Sequence, residues 1–285
     1  MAKHESQKQK WILIDTAEHD EMLFIDGQHQ SSLTDEHYYH ESFVHTLMTG
    51  VQNPKRVLLL GGAEGCLARE VLRYEQVEVV DQVDWDCSLV KHFKGAGIHW
   101  NGNSYADPRV HVYCEEALGW LEKCTDTYDV IFVDLLDPSA ETMKFMEKII
   151  LASKKLLCEK GGLAVNAGYI KKGADSPACD LATFMREEFP VGGGYQRIAV
   201  KIFVPSYLDE WCFLMIVPKI WSSLIHSVEI VKGVQRFNKE ILIQSVTWKE
   251  AYPCVLKNFW KVFDEKLVDG QPQHMLRDIT EYYGC

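Results

Sequence analysis

The chain has 285 residues, 47% of them hydrophobic and 25% charged, which is enough apolar material for one large α/β domain with small additions. A formal net charge of −11 argues against a nucleic-acid backbone as partner, since such ligands demand clustered Lys and Arg, and it is compatible with a cationic substrate. No apolar run reaches the roughly eighteen residues of a membrane span and no apolar stretch follows the polar start MAKHESQKQKW, so neither a membrane segment nor a signal peptide is expected, and the cytoplasm is the expected location.

In chain order, WILID and MLFIDG are short β-rich runs separated by TAEHDE, predicting an N-terminal β-hairpin or small sheet that ends at Gly27. The stretch IDGQHQSSLTDEHYYHE at 25–41 crowds Gln30, Asp35, Glu36, Tyr39, His40 and Glu41 together, and reads either as a lid over a site or as a solvated loop. HYYHESFVHTLM has helical spacing of its apolar residues. Residues 1–50 are therefore assigned to a hairpin and lid region.

After Asn53-Pro54 the rhythm becomes strand, helix, strand: RVLLLGG, EGCLAREVLRY, VEVVDQVD, CSLVKHFKG, with the short continuous strands of a buried parallel sheet. VHVY, EALGWLEK, YDVIFVD, a helix over roughly 141–158, GLAVNAG and a helix near 178–188 continue the alternation. KIFVPSY and WCFLMIV close it as an antiparallel pair. This predicts a Rossmann-like, class I methyltransferase-type parallel sheet over 51–218 and a C-terminal extension over 219–285, with a helix in WKEAYPCVLKNFWKVFDEKL interrupted near Pro253. The nine cysteines are scattered without CxxC spacing, so reduced thiols and no metal site are expected.

Four constellations carry chemistry. LLLGGAEGC at 58–66 is a glycine-rich turn between the first Rossmann strand and its helix, where missing side chains let a ligand approach the backbone near Gly61. Asp84 follows about twenty residues on at the end of the second strand, where a carboxylate takes both hydroxyls of a ribose. Glu116, after the third strand, reads either as an acid against an adenine amino group or as a first-turn acid on a helix dipole. Asp134 ends the fourth strand with Asp137 three residues later, so both face the cleft of Gly61 and Asp84, although an Asp before Pro is also a common turn former.

These segments together resemble the spermidine synthase family of aminopropyltransferases. Its members carry LDGxxQxxxxDExxYHE, NPKxVLxxGGGDGGxxREVL, an acid in VExxD, DPRV, GDG and DVIxxDSSDP. This chain has IDGQHQSSLTDEHYYHE, NPKRVLLLGGAEGCLAREVL, VDWD, DPRV, CEEA and DVIFVDLLDP in the same order, well matched over about 23–138. The resemblance implies a co-substrate, decarboxylated S-adenosylmethionine, held by Gln30, His40, Gly61, Glu64, Asp84, Glu116 and Ala117. It implies an amine site of Tyr39 and Asp134 as catalytic groups with Asp137 and Tyr207 binding the polyamine, release of methylthioadenosine, no metal, and a homodimer. An acid at Glu64 attracts the bare propylamine of the decarboxylated donor and repels the carboxylate of the intact one.

Departures from the family pattern keep alternatives open. GGGDGG is GGAEGC here, Asp84 and Glu116 exchange the usual Glu and Asp, and the serines of DSSDP are Leu135 and Leu136. The glutamine expected after the fifth strand falls near Asn166 or Ala167, and Tyr207-Leu208-Asp209-Glu210 replaces YPSG, leaving Asp209 and Glu210 as extra negative charge or a solvated turn. An S-adenosylmethionine-dependent N-methyltransferase of small amines is one alternative, since plant putrescine N-methyltransferases resemble the family and keep a similar acid. A non-catalytic nucleoside-binding relative is the other.

Overall fold

Polar residues at the start of the chain pair into a sheet of their own. In the computed structural model, which describes residues 2–5, 8–169, 177–190, 194–219 and 229–247, strands β1 (Ala2–Glu5), β2 (Lys10–Thr16), β3 (Asp20–Ile25) and β4 (Gln28–Ser32) form a four-stranded antiparallel meander. The expected hairpin is β2–β3, with Trp11, Leu13 and Leu23 turned inward. The flanking strands β1 and β4 lack hydrophobic alternation and are recognisable by their backbone pairing to β2 and β3. Trp11, Leu13 and Leu23 pack on Leu89, Val90, Phe93 and Trp100 of the main domain, and Glu21 accepts the Trp100 indole N–H at 2.7 Å.

Helix α1 (Glu36–Met48) follows, and it corrects the expected lid. Phe43, Val44 and Leu47 are buried in the core and Tyr39 is 5% exposed, so the segment is a core helix whose first turns face the cleft. The helix is the one expected from the apolar spacing of HYYHESFVHTLM.

The central sheet contains β5 (Arg56–Gly61), β6 (Val79–Val83), β7 (Val110–Tyr113), β8 (Tyr128–Asp134), β9 (Leu157–Tyr169), β10 (Tyr195–Val204) and β11 (Asp209–Pro218). Their order is β10-β11-β9-β8-β5-β6-β7, with β5 to β9 parallel and β11 antiparallel to both neighbours, the class I methyltransferase arrangement. Helices α2 (Cys66–Val71), α3 (Cys87–Phe93), α4 (Ile98–Asn101), α5 (Ala117–Lys123), α6 (Met143–Leu156) and α7 (Pro177–Glu188) connect the strands, and a last described helix spans Lys239–Thr247. The interrupted helix expected near Pro253 lies outside the described residues. Among the described residues no helix is long and apolar enough to cross a membrane.

From β5 the chain runs to β6 and β7 on one side and returns to β8 on the other, so a crevice opens at the carboxyl ends between β5 and β8. Gly61 sits at that point with φ +89°, and a Cβ there would lie 1.9 Å from the Asp134 carbonyl oxygen. Gly27, at φ +80°, has nothing within 4 Å of such an atom. Gly61→Ala should therefore destabilise the fold by roughly 3 kcal/mol or more, against roughly 1 kcal/mol for Gly27→Ala, measured by urea unfolding. Equal losses would contradict this packing account.

Candidate functional site

The turn after β5 is pinned from outside, leaving its inner side to a ligand. The Gln82 side-chain amide donates to the carbonyls of Gly61 at 3.1 Å and Gly62 at 2.6 Å, and the Tyr105 hydroxyl donates to that of Ala63 at 2.7 Å. Asn101 Nδ2 donates to the Glu64 carbonyl at 2.9 Å and Ser104 Oγ to that of Gly65 at 3.0 Å. With its carbonyls satisfied by neighbours, the turn presents a preformed cradle at the start of α2.

The cavity over this turn has a volume of about 660 Å³. Gln30, Tyr39, His40, Gly61, Glu64, Asp84, Glu116, Ala117, Asp134, Asp137 and Tyr207, all singled out in the sequence, line it. Strand ends supply Gly61, Asp84 and Asp134, α1 supplies Tyr39 and His40, and the turn between β10 and β11 supplies Tyr207.

Two acids at the floor are held in a poorly solvated setting. The Tyr39 hydroxyl donates to Asp134 Oδ1 at 2.6 Å. Burial, then the charge of Glu64, pushes Asp134 up to about 7, against the lowering effects of the Tyr39 hydrogen bond and of His40. Burial likewise raises Asp84 to about 7, although its Oδ1 accepts the Asp86 amide at 2.9 Å.

Glu64 is anchored through His40. Burial alone would discharge this imidazole, but the carboxylates of Glu36 and Glu64 overcome it and raise the group to about 10. Both ring nitrogens then donate, Nδ1 to Glu36 Oε2 at 2.8 Å and Nε2 to Glu64 Oε1 at 2.9 Å. Arg69 Nη2 adds a 2.9 Å bond to the Glu36 carboxylate, closing a chain from α2 to the cleft. Arg69 lies in the REVL stretch, yet its sequence position gave no sign of this contact.

At the opposite end Asp137 Oδ1 accepts Asn166 Nδ2 at 3.1 Å, and Asn166 Oδ1 accepts the Trp211 indole N–H at 2.8 Å. Trp211 sits at a register shift of β11 and stands 4.8 Å from the Tyr207 ring. It had read as an ordinary strand residue, and no local signal distinguishes it. Tyr207 donates to the Gln30 carbonyl at 2.5 Å, tying β4 to this turn. Leu135 and Leu136 line the same end, so its wall is apolar where serines were expected by resemblance.

Two open sequence alternatives take definite form. Both Glu116 oxygens accept amides of α5, from Leu118 at 3.0 Å and Gly119 at 2.8 Å, so the residue caps that helix while bordering the cavity. Asp209 and Glu210 do not line the cavity: Glu210 pairs with Lys201, and Asp209 Oδ1 accepts the Glu210 amide at 2.8 Å.

Because Asp84 and Asp134 hold protons more tightly when folded, they contribute stability below their ordinary carboxylate range that is lost as pH rises through about 7. Between pH 5 and 8.5 each should cost on the order of 2 kcal/mol in urea unfolding, and Asp84→Asn should flatten its share of the slope. An unchanged slope in that variant would refute the desolvated setting of Asp84.

The spermine/spermidine synthase domain profile matches residues 36–222. The polyamine aminopropyltransferase of Sulfolobus acidocaldarius is 30% identical over 218 residues, 75% of this chain and 70% of that protein. That of Korarchaeum cryptofilum is 32% identical over 192 residues, 67% of this chain and 58% of that protein. Among solved structures, a spermidine synthase in complex with the transition state analogue AdoDATO superposes with a TM-score of 0.77 at 21% identity, covering 91% of this chain and 87% of that one. The spermidine synthase of Thermotoga maritima gives 0.75 at 20%, covering 91% and 86%. At these identities the structural likeness speaks for the fold.

Proposed function

The chain belongs to the spermine/spermidine synthase family, and from that membership we propose that it is an aminopropyltransferase, moving the aminopropyl group of decarboxylated S-adenosylmethionine to putrescine or a related polyamine. The observation that carries the reading is one cavity in which Glu64, Asp84, Asp134 and Asp137 surround a glycine cradle. Such a cleft favours a nucleoside with a cationic tail beside a cationic amine.

The donor supplies a carbon next to its sulfonium; the acceptor nitrogen bonds to that carbon as the carbon–sulfur bond breaks, and methylthioadenosine leaves. Asp84 takes the ribose hydroxyls, with the glycine turn allowing close approach. Ala117 and Glu116 border the adenine, Glu116 sharing its carboxylate with the helix cap. Gln30 closes the nucleoside side. Glu64, fixed by His40, holds the propylamine ammonium and disfavours a donor that keeps its carboxylate.

A diamine is almost wholly protonated at neutral pH, so the site must take a proton before nitrogen can attack. Asp134, raised to about 7, is matched to that task, and Tyr39 orients it through the 2.6 Å hydrogen bond. Asp137, held by Asn166, binds the distant ammonium. Tyr207 and Trp211 flank the methylene chain.

Incubating the protein with putrescine, cadaverine or spermidine and either decarboxylated or intact donor should yield an added aminopropyl mass with the decarboxylated donor alone. Methyl addition from the intact donor would establish the methyltransferase alternative instead. Asp134→Asn should lower turnover at least ~100-fold while leaving methylthioadenosine affinity within ~3-fold, and wild-type kcat/KM should rise with pH through about 7 as Asp134 ionises. Glu64→Gln should raise the KM for the decarboxylated donor roughly tenfold, read from initial rates; an unchanged KM removes Glu64 from its place. Family membership also supports a cytoplasmic homodimer, for which light scattering should return twice the chain mass.

A further inference from the structure

Helix α1 works on two faces. Tyr39 and His40 turn to the cavity, whereas Tyr38 and Glu41 on either side of them meet a segment beyond the family-matched residues 36–222. The Glu41 carboxylate is 1% exposed and accepts three consecutive backbone amides, those of Gln235 at 2.5 Å, Arg236 at 2.9 Å and Phe237 at 2.8 Å. The Arg236 guanidinium lies 3.8 Å from the Tyr38 ring centre, and buried Phe237 sits 5.4 Å from the His45 ring. Gly233, at φ +87°, brings the chain so close to Arg73 that a Cβ would meet its Nη1 at 2.3 Å.

A buried carboxylate is costly unless hydrogen-bonded, and among the described residues Glu41 takes its hydrogen bonds from one short stretch of main chain. The stretch and the helix therefore require each other. Rotation or withdrawal of α1 would strip Glu41 of its donors and, on the opposite face, lengthen the bonds from Tyr39 to Asp134 and from His40 to Glu64. The segment contributes none of the residues lining the cavity.

We infer that residues 235–237 form a latch on the back of α1, and that Glu41 is a positioning residue through which this latch holds Tyr39 on Asp134 and His40 on Glu64. The inference rests on the aminopropyltransferase reading for its catalytic consequence.

Asp134 is faced by Tyr39 and His40 from α1, Glu64 from the turn after β5, Asp84 from the end of β6, Asp137 from its own loop and Tyr207 from the β10–β11 turn. The Tyr39 hydrogen bond holds its pKa down against burial, so slackening α1 must raise it. In the full chain, Glu41→Gln and Arg236→Ala should lower kcat roughly tenfold and move the acid limb of kcat/KM against pH upward by roughly half a unit, while methylthioadenosine affinity stays within ~2-fold. Mere loss of folded protein would scale the rate without moving the limb. Unchanged kcat and profile in either folded variant overturn the latch, so Arg236→Ala decides it where Glu41→Gln fails to fold. Wild-type protein that transfers no aminopropyl group would refute the functional reading alone. The latch is then judged by amide exchange of residues 38–41, which should quicken about tenfold in Arg236→Ala; equal rates overturn it.

Discussion

Strands β5 and β8 approach so closely at their carboxyl ends that nothing larger than hydrogen fits on Gly61, 1.9 Å being the distance a Cβ would keep from the Asp134 carbonyl. This contact lies at the point where the sheet reverses its winding, and it brings the glycine turn and the floor acid into adjacent positions. Transfer between two substrates requires their reacting atoms within contact distance, and the proposed function would draw on that adjacency. Gln82, Tyr105, Ser104 and Asn101 hold the turn from behind, so the approach is built in rather than induced.

The electrostatics follow from the same crowding. Asp84 and Asp134 lose water to burial, and both are raised to about 7 although His40 works against the rise at Asp134. His40 is the imidazolium beside Asp134, and Glu36 and Glu64 already share its charge. The cleft is thus short of positive charge, which suits the sulfonium donor and ammonium acceptor proposed for it. Leu135, Leu136 and Trp211 add apolar wall at the Asp137 end.

Helix α1 joins these parts. Its first turns reach Asp134 and Glu64, its middle fills the core with Phe43 and Leu47, and its outer face takes the segment around Arg236. One helix thereby relates Asp134, Glu64 and residues 235–237.

By itself the sequence determined the βαβ alternation, the glycine turn and the acids at strand ends, because buried parallel strands need continuous apolar runs and tight turns need glycine, both local demands. It left β1 and β4 obscure, since neither strand carries hydrophobic alternation. Only the tertiary structure decided that Glu116 caps its own helix, that Asn166 and Trp211 support Asp137, and that Glu41 meets residues 235–237. Those contacts join residues up to 196 positions apart, and at that separation no pattern of neighbours along the chain encodes which donor meets which acceptor.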